Sequence, residues 1–101
     1  MDPAVICEYL DQKELSEKQK AEWCHTQGFE SRKKGDFRTA IEYYTVALQY
    51  YPFHFKALFN RGFAHDKINR YDEAIQDYSM AIKIDPKNPY AYYNRGISFD
   101  R

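Results

Sequence analysis

At 101 residues, with Lys plus Arg and Asp plus Glu balanced at 15 each, the chain has the length of one domain and no net charge to draw it toward nucleic acid or an anionic membrane. No apolar run approaches the roughly 18 residues that span a bilayer, and Met1-Asp2-Pro3 opens without the cationic-then-apolar pattern of a secretion signal, so the expected address is intracellular, the cytoplasm first and the nucleus alongside it. Cys7 and Cys24 stand 17 residues apart with no histidine at ligand spacing, so reduced thiols are expected and neither a disulfide framework nor a zinc site.

Taken in chain order, Asp2-Pro3 reads as an N-cap and a proline at the first helical position, opening a short helix to about Asp11 with Val5, Ile6, Tyr9 and Leu10 on one face. So short a helix is unstable alone in water and must dock, on its own chain or on a neighbour. Ser16 and Gln19 have capping-box spacing, which starts the next helix at about Glu17 and carries it to about Lys34, where Gly35 supplies a left-handed end. Asp36-Phe37 begins a return helix with Ala40, Ile41, Tyr44, Ala47 and Leu48 inward, and Tyr51-Pro52 ends it.

The same scheme then recurs. Asn69 stands where Gly35 stood, Asp85-Pro86 repeats the stop, and Asn88-Pro89 starts a further helix from Tyr90 to about Arg101. A shift of 34 residues superposes Gly28 on Gly62 and Gly96, Ala40 on Ala74, Tyr44 on Tyr78, Ala47 on Ala81 and Pro52 on Pro86. Only 8 of 34 positions are identical between the two full units, yet they fall at the small, aromatic and stop positions that a stacked helical hairpin needs. A glycine inside a helix costs about 1 kcal/mol relative to alanine, so each is expected to have a packing reason, here close approach to Ala40/Ala47 or Ala74/Ala81 of the return helix. Arg61 and Arg95 lie beside such glycines, and Asp77 is the expected partner of one or both, against the alternative that each guanidinium reaches water.

Through Leu58, Gly62, Tyr71, Ala74, Tyr78, Ala81 and Pro86 in one unit, and Gly28, Phe37, Ala40, Tyr44, Ala47 and Pro52 in the other, residues 21–101 resemble the tetratricopeptide repeat family. There are departures: Cys24 replaces the large residue usual near the unit start, and Gln27, Arg61 and Arg95 replace the leucine usual before the glycine. The resemblance implies an all-α, right-handed solenoid of antiparallel helix pairs. It divides the chain into a short helix and linker (1–15), a first repeat with an extended first helix (16–54), a second repeat (55–88) and the first helix of a third (89–101). It also implies a non-enzymatic scaffold, without cofactor, that binds a protein or peptide in a concave groove lined by the first helices. Columns spaced by 34 give that groove His25, Phe59 and Tyr93; Phe29, Phe63 and Ile97; Asn60 and Asn94; and a basic rim at Lys33 and Lys67. Such a wall suits an extended or helical segment with bulky apolar residues and some acidic character.

The family's clamp for the acidic C-termini of chaperones maps onto His25, Phe29, Asn60, Tyr90 and Asn94, and only Asn60 fits, so that ligand is not expected. No phosphate loop, nucleophile elbow or metal spacing is present, and His25, His54 and His65 are scattered along the chain. Two other readings stand beside the peptide adaptor. One is a self-associating module that uses the third-repeat edge, where Tyr92, Gly96 and Phe99 lack a return helix and the N-terminal helix is a candidate cover. The other is the regulatory domain of a larger enzyme.

Overall fold

A computed structural model describes residues 2–101; Met1 lies outside them. Six helices follow one another: α1 (Pro3–Asp11), α2 (Glu17–Lys33), α3 (Phe37–Tyr50), α4 (Phe55–Lys67), α5 (Tyr71–Ile84) and α6 (Pro89–Phe99), with no strand among the described residues. Their ends follow from local chemistry. Asp2 accepts a hydrogen bond from the Ala4 N–H at 2.9 Å ahead of Pro3. Ser16 and Gln19 close both halves of a capping box, at 2.8 and 3.1 Å.

The two hairpin turns are one motif written twice. Gly35, at φ +80°, lets its own N–H reach the Arg32 carbonyl and the Asp36 N–H reach that of Ser31, both at 2.9 Å. Asn69, at φ 65°, repeats the pattern, with bonds from Asn69 N–H to Asp66 and from Arg70 N–H to His65. The return helices start differently. Asp36 caps the Thr39 N–H of α3, whereas Arg70 offers α5 no side-chain cap and leaves Asp72 and Glu73 to complement the helix dipole.

α2 pairs with α3 and α4 with α5, and the pairs stack through α3 on α4 and α5 on α6, giving a solenoid with extents of 43 × 26 × 19 Å. Ala40, Ala47, Ala74 and Ala81 are buried completely, and Tyr44 and Tyr78 are the largest fully buried side chains. At roughly 150–250 Å² a ring, each contributes about 4–6 kcal/mol of apolar burial at 25 cal/mol per Å². The tyrosines also correct the expected reason for the glycines. A Cβ on Gly28 would lie 2.6 Å from the Tyr44 ring and one on Gly62 2.9 Å from that of Tyr78, so what stands nearest the bare backbone is an aromatic ring. Gly96 meets nothing within 4 Å.

α1 docks on its own chain. Ile6 and Leu10 are buried against the first repeat, while Val5 and Tyr9, expected on the same face, are about half exposed beside Trp23. Polar contacts fasten this end: Tyr50 donates to Asp11 at 2.7 Å, Lys20 reaches the same carboxylate at 3.1 Å, and the two together hold the Asp11 pKa below the usual carboxylate range. α1 therefore packs on α3 of its own chain, at the first-repeat end and away from the α6 edge for which it was a candidate cover. At that edge Tyr92 and Phe99 stay 44% and 62% exposed. Both cysteines are free; burial pushes the Cys24 thiol up to about 12.

Candidate functional site

The first helices α2, α4 and α6 lie side by side and present the residues picked out by the 34-residue columns. His25, Phe29, Phe59 and Phe63 are half-buried, Lys33 and Lys67 exposed. Much of the aromatic surface is already engaged. Phe59 meets the edge of Tyr78 at 5.7 Å and stacks with Phe55, and Phe63 lies 6.3 Å from Phe37. Over the outer faces of these rings sit cations: Arg32 at 4.1 Å from the Phe63 centroid and 5.6 Å from Phe29, Lys33 over Phe29 and Lys67 over Phe63. Arg32 bridges two columns. On α6, Tyr93 is 69% exposed, and Asn94 and Ile97 are half-buried. Arg101, the next basic residue along the rim, turns back to Asp66 at 3.1 Å.

Asn60 is buried, and its amide nitrogen lies 3.0 Å from Nε2 of His25, an engagement that spacing alone does not reveal. Two of the three histidines come together in space. His25 and His54 have ring centroids 5.0 Å apart, and Glu22 approaches His54 Nε2 at 2.7 Å. His54 is also the N-cap of α4, its Nδ1 accepting the Ala57 N–H at 3.0 Å, so the ring proton resides on Nε2 and points at Glu22. Burial, reinforced by His54 and opposed by Glu22, lowers the His25 pKa.

Behind this face, Arg61 binds Asp77 through two parallel bonds of 2.8 and 2.7 Å. Its third bond goes to the Thr45 hydroxyl at 3.2 Å, tying α3, α4 and α5 together. Arg95 has no acidic partner among the described residues; it donates to Ser79 at 3.4 Å, the same contact one repeat on. The signal was present as hydroxyls at 45 and 79 and arginines at 61 and 95, both pairs 34 apart. His65, buried with no partner for Nδ1, stands 3.6 Å from Asp77; burial lowers its pKa while Asp77 opposes the shift.

Comparison with known proteins gives the same architecture. Residues 67–100 match the family described as TPR repeat and residues 43–76 the one described as Tetratricopeptide repeat, windows that together run from 43 to 100. No curated protein matches the chain. Among solved structures, the Arabidopsis OM64 TPR domain superposes with a TM-score of 0.82 at 26% identity, covering 84% of this chain and 70% of that one. A chain of the CopN-Scc3 complex superposes at 0.78 with 19% identity, covering 94% of this chain and 64% of that one, a likeness of fold. No helix among the described residues is long and apolar enough to cross a membrane. Tetratricopeptide repeats are protein-interaction scaffolds and generally non-catalytic. With the 34-residue period, the repeated turn and the paired-helix stack in agreement, the chain belongs to the tetratricopeptide repeat family and is, in that general sense, a protein-interaction module.

Proposed function

We propose that the α2–α4–α6 face binds a peptide segment in which bulky apolar residues alternate with acidic ones. The observation that carries this reading is the cationic layer over the rings: Arg32, Lys33 and Lys67 lie across Phe29 and Phe63. An apolar side chain inserted beside these rings gains from desolvation, and an adjacent carboxylate meets a guanidinium or ammonium whose position the ring already restricts. The module acts as an adaptor without catalysis. A carboxylate clamp is not part of the proposal, because His25 and Asn60 are spent on each other.

Selection from random twelve-residue peptides displayed on phage tests it. Acidic-aromatic sequences are expected to be enriched, and the double variant Lys33→Glu, Lys67→Glu, whose changes lie on exposed positions, is expected to lose them while remaining helical. Absence of enrichment, or enrichment indifferent to charge reversal, overturns the reading. Self-association through α6 is the second reading, favoured by the exposure of Tyr92 and Phe99. Sedimentation equilibrium decides it, since a monomer at high concentration removes it.

A further inference from the structure

We propose that Glu22, His25 and His54 form a site for one divalent transition-metal ion, zinc being the ion the donor set suits best. One carboxylate oxygen and one nitrogen from each ring lie within 4.8 Å of one another. Zinc bonds of about 2.0–2.2 Å place tetrahedral donors about 3.4 Å apart, so the side chains must draw in to close the set. Glu22 and His25 are three residues apart on one face of α2, while His54 comes from the turn before α4, so the donors converge from two sides. Two imidazoles and a carboxylate leave a fourth position for water, the arrangement of an open zinc site, and are too few in oxygen for calcium or magnesium. His54 is buried and aims Nε2 at Glu22, and the buried Asn60 lies against Nε2 of His25. A surface cleft lined in part by Glu22, Tyr51, His54 and Lys56 gives an ion access.

The proton balance makes the site distinguishable from casual adsorption. Without the ion, His54 carries its proton on Nε2 because Nδ1 accepts from Ala57. A metal bond takes the Nε2 lone pair, the ring proton moves to Nδ1, and the Ala57 N–H loses its acceptor. Zinc uptake therefore loosens the first turn of α4. This site stands independently of peptide binding.

The test is calorimetric titration of the chelator-stripped chain with zinc chloride, paired with amide exchange at Ala57. One equivalent is expected to bind, with faster exchange at Ala57. Glu22→Gln and His25→Ala remove the equivalent, as does His54→Asn, which keeps an oxygen to cap α4. Cys7→Ser retains the equivalent. No saturable uptake, or uptake that survives His25→Ala and His54→Asn and vanishes with Cys7→Ser, overturns the proposal.

Discussion

Gly28 and Gly96 occupy the same place in the repeat and face opposite circumstances. A methyl group at Gly28 would drive into the buried Tyr44 ring, and at Gly96 it would meet open space. Gly28→Ala is therefore expected to cost about 1–3 kcal/mol through overpacking, and Gly96→Ala to gain up to about 1 kcal/mol from helix propensity, both read by urea unfolding. The glycine period was legible; the tyrosine against it was not, because a helical pattern says which side faces inward but not which inward side chain lies opposite a given backbone atom. His65 supplies a pH dependence. It is surrounded by Asp77, Arg61, Glu73 and Arg70, and its folded pKa lies below the ordinary 6.5, so below 6.5 the unfolded chain binds the proton more readily. Its contribution is present in full above pH 6.5 and is lost as pH falls through the folded value. Melting temperature is expected to drop on acidification from 7.5 to 5.5, and the drop to be smaller in His65→Gln.

Helix limits were readable because caps are local. Asp2, Ser16, Asp36 and Asn88 each satisfy N–H groups within three residues, and Gly35 and Asn69 turn the chain as their backbone freedom allows. The His54 cap escaped notice, since histidine is an uncommon acceptor there, and its pairing with Glu22 spans 32 residues. α1 is the element whose fate depended most on tertiary contact. Ile6 and Leu10, each 1% exposed, join the first repeat's core although the motif does not include them. Ile6→Ala is expected to destabilise the fold by about 2–5 kcal/mol, measured by chemical denaturation. A loss of a few tenths would mean that α1 rides on the stack without supporting it.

Along the whole stack, stability is a sum over neighbours. α3 and α4 are covered on both sides, whereas α6 leans on α5 with a slighter contact to α4. Native-state amide exchange is therefore expected to be slowest in α3 and α4 and fastest in α6; equal protection throughout would indicate a single cooperative block. The general architecture was readable because a fixed period states who stacks on whom. The binding face was readable only as columns, because cations spread over rings and amides turned toward histidines are agreements between helices that no single period encodes.

The paired contacts Thr45–Arg61 and Ser79–Arg95, each bridging 16 residues, add one thing more. They meet at the junction between successive units, where rotation of one unit on the next sets the pitch of the coil. One hydroxyl contact stands at each joint, so a substitution at Thr45 addresses one joint and a substitution at Ser79 the other.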